Sequence, residues 1–429
     1  MNLMKSLCIA KFFAMMFVAS VVSSCMGGHK KGLKPSDYCL KSANFITAGH
    51  PQEGKLESFL GTSSFDMQQV YANGRFPNIV VALDGTLLAL FNWDVTKEDN
   101  RDVRVRRSED GGQTWGPQIV IGENNMGGGT IVNETNGDIL AFVEEKLGAL
   151  PGDLFVYRSQ DHGKTWEEIE VVIEPDTNGN VPAMHMAESG ITLRHGIHAG
   201  RIIRGARFCS TGPKGSLGYN TAIYSDDGGK TWQTSAPFPD LGTGEGALAE
   251  LTDGRIYYSS RKHYFATSDF RHGERPFAWS YDGGATWRDV GYSPVLPDGP
   301  RYRGAESRGS NYNGHFGVMG GLVRLPVKGR DILIYSNCDT PSAERIRGTV
   351  WASFDGGQTW PLKRLVYAGK FAYSSLAAGR PGTNTEGWIY CHFESEHVPD
   401  SSKVARFNLS WLLGGSATGD GELPEWLPQ

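Results

Sequence analysis

The sequence predicts an all-β chain that folds as one six-bladed β-propeller, and two observations lead to this prediction. The pattern Ser-x-Asp-x-Gly-x-Thr-Trp occurs five times, beginning at Ser108, Ser159, Ser225, Ser280 and Ser353. From Ser64 to Leu413, short β-rich runs alternate with Gly, Asp and Pro, as they do in hairpins. These ~350 residues, divided at a mean interval of about 60, make roughly six units. Radial repetition of four-stranded sheets protects the strand edges of an all-β chain.

The N-terminal segment indicates an export signal. Lys5 and Lys11 precede the apolar run FFAMMFVASVV, and the small residues of VSSC follow and end at Cys25. The apolar run is too short to span a bilayer stably. Because VSSC resembles the bacterial lipobox, we expect Cys25 to be the lipidated first residue of the mature chain. Ordinary signal cleavage nearby is the alternative.

The signal and the β-rich region divide the chain into four parts. We expect a signal peptide, a tether with an N-terminal lead-in, the propeller and a C-terminal tail at residues 1–25, 26–63, 64–413 and 414–429. No later stretch is long or apolar enough to predict a transmembrane helix. The expected product is an exported bacterial lipoprotein, a monomer anchored to a membrane on the periplasmic side or at the cell surface.

Charge and cysteine spacing argue against several classes of partner. The formal charge of −5 becomes −7 without Lys5 and Lys11, and no basic run suits a phosphate backbone, so nucleic acid is not an expected partner. The cysteines outside the signal lack any CxxC spacing, which argues against zinc. No metal and no cofactor is expected. These four cysteines could form disulfides in three alternative pairings or stay free thiols; they are Cys39, Cys209, Cys338 and Cys391.

The repeated pattern itself predicts scaffolding rather than chemistry. An active site is assembled once, whereas this pattern is written five times. Asp110 and its counterparts can accept hydrogen bonds from turn amides, and Gly112 and its counterparts permit positive φ. The Trp then packs the turn onto its own sheet. Single-copy segments must therefore carry the function.

Those single-copy segments occur in a recognisable order. They are GRFPNIV, ESGITL, GEGALAELTDGRIYYSSR, SNCDTPSAERIRGTVWASFDGG, GKFAYSSLA and WIYCHFE, which are distributed along the chain from Val70 to Glu394. Order and spacing resemble those of the exo-sialidases, the neuraminidases of glycoside hydrolase family 33. Phe76 replaces the usual aliphatic residue of the family's Arg-Ile-Pro element.

The resemblance implies a triad of arginines that binds the substrate's carboxylate: Arg75, Arg261 and Arg345. The planar guanidinium group suits this task because it can hold a carboxylate through two hydrogen bonds and stays charged at any working pH. Arg347 is a rival to Arg345, but the Gly348-Thr349 that follows it favours Arg345 in the family's register.

The resemblance also implies that Tyr373 is the nucleophile and that Glu245 takes its phenolic proton. A phenol of pKa near 10 is a poor nucleophile unaided and needs an adjacent base. A neutral phenol also avoids the repulsion that a carboxylate nucleophile would meet beside the substrate's own carboxylate. A packed strand aromatic is the alternative interpretation of Tyr373 when it is taken alone.

Two acidic roles are implied less sharply. Glu394 corresponds to the residue that holds Arg75, with Glu396 as its alternative on the same strand face. For the general acid, the loop FNWDVTKEDNRDVRVRRS offers Asp99, whose spacing fits best. The alternatives are Asp94, Glu98 and Asp102. The family's Glu-x-Arg is replaced by Asn92-Trp93-Asp94, which puts the exact sugar in doubt.

The resemblance therefore implies a metal-free, retaining exo-α-sialidase acting on sialylated glycans or glycolipids. A hydrolase for another 2-keto acid sugar, such as Kdn or Kdo, is the enzymatic alternative because the triad recognises only the shared carboxylate. A non-catalytic sialic-acid-binding propeller is the alternative from a different class, since fold alone does not imply function.

Overall fold

Six small sheets surround one axis in the computed structural model, and the prediction of a six-bladed β-propeller is confirmed. The structure describes residues 53–92, 102–123, 126–144, 154–184, 188–208, 218–263, 274–299, 317–342, 344–395, 401–414 and 422–427. The predicted signal with Cys25 and residues 26–52 of the predicted tether lie outside these residues. None of the described helices is long and apolar enough to cross a membrane.

The first three blades follow one another along the chain. Blade 1 has strands β2 (Arg75–Val81), β3 (Leu87–Asn92), β4 (Val103–Ser108) and β5 (Ile119–Gly122). Blade 2 has β6 (Met126–Val132), β7 (Ile139–Glu144), β8 (Leu154–Ser159) and β9 (Glu167–Ile169). Blade 3 has β11 (Ile191–Thr192), β12 (Ile202–Phe208), β13 (Tyr219–Ser225) and β14 (Thr231–Thr234), to which β10 (Val172–Ile173) adds a parallel outer strand.

The last three blades complete the ring. Blade 4 has β15 (Thr243–Glu250), β16 (Ile256–Lys262), β17 (Glu274–Ser280) and β18 (Arg288–Pro297). Blade 5 has β19 (Gly321–Arg324), β20 (Leu333–Cys338), β21 (Ile346–Ser353) and β22 (Leu362–Lys370). Blade 6 has β23 (Ser374–Ala378), β24 (Ile389–Ser395), β25 (Ser401–Phe407) and β1 (Phe65–Tyr71).

Blade 6 closes the ring because its outer strand comes from the other end of the chain. Strand β1 pairs antiparallel with β25, from Phe65 opposite Phe407 onward. This closure also explains why five copies of the repeated pattern serve six blades. In blades 1–5 the third strand ends at the Ser of the pattern, whereas β25 runs into Asn408, whose side chain caps the short helix α1 (Leu409–Leu412).

The five repeated segments form turns that share one hydrogen-bond pattern. In the first, Ser108 Oγ donates to Asp110 Oδ1 at 2.8 Å and accepts from Gly112 N at 2.9 Å. Thr114 donates to the same carboxylate through its backbone N at 2.9 Å and its hydroxyl at 2.6 Å. The carboxylate is thus used within its own turn, as expected of scaffolding.

The apolar core is divided among the blades. Six clusters of buried side chains fill the interfaces, and the largest joins blades 5 and 6. The 3₁₀ turn Leu56–Phe59 and the segment with Leu423 and Leu427 pack into that largest cluster. Segments that precede and follow the six blades in sequence therefore both contribute to the core.

The inner strands β2, β6, β11, β15, β19 and β23 surround a cavity of about 150 Å³ on the axis. Its lining includes Val81, Glu250 and Ala378, near the ends of their strands. Arg194 and Arg380 both bind Glu134 in the same lining, and we call these three residues the far mouth.

The N-terminal segment docks at this same end of the axis. Gly54 forms a parallel bridge with Val327 and donates its N–H to the Pro326 carbonyl at 2.8 Å. Glu53 forms an ion pair with Arg324, a residue that lines the axial cavity. The described chain therefore begins beside the far mouth.

Candidate active site

The opposite end of the axis collects the single-copy residues. Arg75 begins β2, Glu245 lies near the start of β15, and Tyr373 immediately precedes β23. Because inner strands run in the same direction around a propeller, their first residues meet at one end. We call this the front end of the axis. Segments far apart in sequence are thereby brought into contact.

The phenol of Tyr373 and the carboxylate of Glu245 form a direct pair. Tyr373 Oη donates to Glu245 Oε1 at 2.8 Å. Arg261 Nη1 donates to Tyr373 Oη at 2.6 Å and also to Glu245 Oε2. All three residues are buried, so these interactions act in a medium that screens charge poorly.

Three guanidinium groups surround the ring of Tyr373. The Cζ atoms of Arg75, Arg261 and Arg345 lie 5.5, 5.6 and 5.5 Å from its centroid. The structure thus brings together the three arginines named from the sequence. Arg347, the rival of Arg345, is exposed and has a φ of 62° at the start of β21.

Glu394 joins Arg75 to the backbone of Tyr373. It accepts from Arg75 Nε at 3.3 Å and from Arg75 Nη2 at 3.4 Å. It also accepts from the backbone N of Phe76 at 2.9 Å and of Tyr373 at 3.3 Å. The bond from the Phe76 backbone N supports Phe76 at a φ of 62°, a left-handed conformation that few residues other than glycine adopt. Glu396, the alternative, lies outside the described residues.

A family model described as "BNR repeat-like domain" matches residues 85–385. The chain belongs to this family. A sialidase of Micromonospora viridifaciens is 30% identical over 371 residues, which are 80% of this chain and 53% of that protein. A sialidase of Bacteroides fragilis (strain YCH46) is 26% identical over 346 residues, or 71% and 57% of the two chains. The chain spans about half the length of these relatives.

Solved structures support the BNR-type propeller. The Hadza microbial sialidase Hz136 matches with a TM-score of 0.60 at 22% identity, covering 79% of this chain and 66% of that one. A leech intramolecular trans-sialidase matches with a TM-score of 0.59 at 13% identity, covering 81% and 69%. At such identities the likeness shows the fold. The recognition of a sialidase-type propeller is confirmed at the level of family and fold.

The charges of this BNR-family site polarise the phenol–carboxylate pair. Burial opposes ionisation of Glu245, but the charges of Arg261 and Arg207 outweigh it, and the pKa of this carboxyl lies below its ordinary value. Burial raises the pKa of the Tyr373 phenol, and the surrounding arginines offset this only in part. The resting pair is therefore a neutral phenol that donates to a carboxylate.

Three of the four acidic residues considered for the general acid lie outside the described residues. Asp94, Glu98 and Asp99 lie outside the described residues. Asp102 is described and is buried at the start of the segment that leads into β4, where it pairs with Arg104 Nη2 at 3.0 Å. Asp99 as the acid thus stays a prediction. Asn92 lies beside a small recess lined by Phe76, Gly127 and Met319.

Two residues beside Glu245 were missed from the sequence. Arg207 Nη1 lies 3.8 Å from Glu245 Oε1 and 3.1 Å from His263 Nδ1. Arg207 is the second-to-last residue of β12, whose sequence is IIRGARF, and His263 follows β16. The only signal was a pair of arginines, Arg204 and Arg207, in an otherwise apolar strand, and this signal does not indicate a partner on another blade.

The described residues show no metal-binding cluster. No group of three His, Cys, Asp or Glu side chains within the described ranges could hold a metal ion. Cys338 and Cys391 are buried free thiols, while Cys39 and Cys209 lie outside those ranges.

Proposed function

We propose that this protein is a retaining exo-α-sialidase that releases terminal sialic acid from glycans or glycolipids. The observation that carries the proposal is the hydrogen bond of 2.8 Å from Tyr373 Oη to Glu245 Oε1, inside a ring of three arginines. A buried phenol paired with a base can act as a nucleophile, because the base can take the phenolic proton as the oxygen attacks. The three positive charges select an anionic substrate.

The arginines account for recognition of the sugar. A sialic acid carries its carboxylate on the anomeric carbon, the same carbon that must be attacked. Binding of this carboxylate by Arg75, Arg261 and Arg345 would therefore place the anomeric carbon close to Tyr373 Oη. Fixing the two reacting atoms in this way supplies much of the rate gain expected of an enzyme.

The proposed reaction has two steps. Tyr373 Oη attacks the anomeric carbon and gives its proton to Glu245, while the glycosidic C–O bond breaks and Asp99 protonates the leaving oxygen. Asp99 then removes a proton from water, whose oxygen attacks the anomeric carbon. The bond to Tyr373 breaks, and the phenol recovers its proton from Glu245. Two inversions retain the configuration at this carbon.

The relatives support the substrate class without settling the product. The curated relatives are named sialidases, and one structural neighbour is an intramolecular trans-sialidase crystallised with 2,7-anhydro-Neu5Ac. Asn92, at the recess beside Phe76, favours a second candidate among hydrolases of other 2-keto acid sugars. Asn92 replaces a charged residue on the wall that would face the sugar.

One incubation tests the class and separates these candidates. The protein is incubated with sialyllactose and with glycosides of Kdn and Kdo, and each released acid is identified by mass spectrometry. Free sialic acid is the expected product. Release of only Kdn or Kdo would favour the second candidate. Binding without release of any acid would favour a non-catalytic propeller.

We also propose that the protein is an exported monomer held to a membrane by a lipid on Cys25. The support is the VSSC segment that follows the apolar run. Cys25→Ala should move the protein to the soluble fraction or leave it unprocessed, because its lipid supplies the membrane affinity. Equal detergent-free solubility of wild type and variant would contradict the lipid attachment.

A further inference from the structure

Glu245 lies between two arginines that come from different blades. Arg261 of β16 in the same blade donates to Oε2, and Arg207 of β12 in the preceding blade places Nη1 3.8 Å from Oε1. The same Oε1 accepts the Tyr373 hydroxyl at 2.8 Å. Both arginines are buried. Each oxygen of the carboxylate thus has its own guanidinium group.

His263 holds the second of these arginines. A guanidinium group can only donate, so His263 Nδ1 accepts from Arg207 Nη1 at 3.1 Å, and its ring proton is on Nε2. The backbone N of His263 donates to the Gly242 carbonyl at 2.7 Å. A Cβ at Gly244 would lie 2.4 Å from His263 Nδ1. The glycine before Glu245 therefore makes room for the ring that positions Arg207.

The two arginines differ in what else they contact. Arg261 also donates to the phenol and belongs to the ring of guanidinium groups proposed to bind the substrate's carboxylate. An arginine shared with a bound carboxylate stabilises Glu245 less, because its positive charge is then partly neutralised. Arg207 keeps its contacts with Glu245 and His263 on the side of β12.

We infer that Arg207, held by His263, is a positioning residue that keeps Glu245 ionised and its Oε1 turned toward Tyr373 while Arg261 engages the substrate. The inference rests on the proposed function. It adds a residue from blade 3 to a site whose other members come from blades 1, 4, 5 and 6. Arg207 acts through Glu245 and need not touch the sugar.

The charged groups around Glu245 determine the sign of the expected pH effect. Arg261 and Arg207 face its carboxylate, together with the phenol, and His263 faces Arg207. Beyond them, Arg75 and Arg345 face the phenol, and Asp298 lies close enough to Arg261 to influence its charge. Loss of a positive charge raises a carboxyl's pKa. Since the base must be ionised, the acidic limb of the pH–rate profile should then move to higher pH.

The experiment compares Arg207→Gln and Arg207→Lys with wild type on an aryl sialoside over about pH 4 to 8. Arg207→Gln should lower kcat about 10-fold to 100-fold, leave KM nearly unchanged and move the acidic limb up by about one pH unit. Arg207→Lys should restore the limb, because it restores the charge. It should restore kcat only partly, because an ammonium group lacks the planar fork.

Three further variants control for folding. His263→Asn keeps an acceptor near the position of Nδ1 and should resemble wild type more than His263→Phe does. Arg194→Gln removes a partly buried arginine from the far mouth and should leave the acidic limb in place. An unchanged limb and kcat in Arg207→Gln would overturn the inference. An increase in KM alone would assign Arg207 to substrate binding instead.

A second readout separates this inference from the proposed function. If wild type hydrolyses no sialoside, the proposed function fails, but the charge on Glu245 is still measurable by NMR titration of ¹³C-labelled glutamate carboxyls. Glu245→Gln identifies the signal. A higher titration midpoint in Arg207→Gln than in wild type supports the inference, and equal midpoints overturn it.

Discussion

The two ends of the propeller axis both gather arginines around a glutamate, but they use them differently. At the far mouth, Arg194 binds Glu134 through two bonds of 2.6 and 2.7 Å, and Arg380 adds a third at 2.6 Å. At the front end, Arg75 binds Glu394 at 3.3 and 3.4 Å, and Arg345 Nη2 reaches the Gly317 carbonyl at 3.5 Å. The arginines of the far mouth are held by short charge-assisted bonds, whereas these bonds of Arg75 and Arg345 are long and weak enough for a ligand's carboxylate to compete with them.

The comparison teaches that an arginine's partners reveal its role better than its burial does. Arg261 is buried, yet it touches the phenol and belongs to the proposed site. Arg194 is also largely shielded, but its Nε and Nη2 both donate to one carboxylate, that of Glu134. Variants at the two ends should therefore fail in different ways. The front end should lose turnover or affinity, and the far mouth should lose stability.

The largest effect is expected from Tyr373→Phe at the front end. The change removes one oxygen and leaves the arginines in place, so turnover of sialyllactose should fall by about 10³-fold or more. Binding of a sialic-acid analogue, measured by calorimetry, should change little. Turnover close to that of wild type would contradict the mechanism and remove the distinction between the two ends.

The next effect tests the residue that acts as general acid. A sugar alkoxide needs a proton in order to leave, whereas an aryl oxide leaves readily without one. Asp99→Ala should therefore lose about 10²-fold to 10⁴-fold more activity on sialyllactose than on an aryl sialoside. Steady-state rates on both substrates measure this difference. Because the same carboxylate should activate water, a burst followed by slow turnover is expected on the aryl substrate.

Variants of the other three acidic residues serve as controls for that assignment. Asp94→Ala, Glu98→Ala and Asp102→Ala should lose similar activity on both substrates. If one of them shows the substrate-dependent difference and Asp99→Ala does not, the acid has been misassigned. If none shows it, the loop does not supply the acid.

A matched pair of substitutions tests the comparison directly. Arg345→Lys should lower kcat/KM about 10-fold to 100-fold, because an ammonium group cannot hold a carboxylate through two parallel bonds. Arg194→Lys at the far mouth should leave kcat/KM within about twofold and lower the melting temperature instead. Equal kinetic losses in the two variants would show that the ends do not differ in function.

The smallest effect on turnover is expected from Glu134→Gln. Burial opposes ionisation of Glu134, but Arg194 and Arg380 outweigh it and hold its pKa at about 2. A depressed pKa in the folded state gives stability above the unfolded value of 4.5, and this stability is lost as pH falls toward 2. The variant should lose ~3 kcal/mol of unfolding free energy at neutral pH. Urea unfolding should show that difference shrink below about pH 4.5.

The sequence predicted the candidate site best where a residue stands in a motif that occurs once and has a side chain suited to one chemical role. Five such residues meet at one end of the axis. Arg75, Glu245 and Tyr373 lie at or beside the starts of inner strands. Arg261 lies near the end of β16, and Arg345 immediately precedes β21. A repeat architecture makes such positions neighbours. The five repeated turns were likewise predictable, since Ser, Asp, Gly and Thr supply all their own hydrogen bonds.

Contacts of residues outside these motifs were not predictable in this way. Arg207 reaches Glu245 across a blade boundary, and its own segment carries no motif. The far mouth likewise joins Glu134 from a turn, Arg194 from a loop and Arg380 from the segment that follows β23. No local sequence pattern indicates that these three residues meet. The extra parallel strand β10 arises from a connecting segment that only the completed ring places beside β14.

The N-terminal segment docks at the end of the axis opposite the candidate active site. Glu53 and Gly54 lie at the far mouth, while Tyr373 lies at the front end. A lipid on Cys25, as proposed, would pull on the chain at the end opposite the phenol. The anchored molecule could then stand on the bilayer with its opening toward the surroundings, so that bulky glycan chains approach without meeting the lipid headgroups.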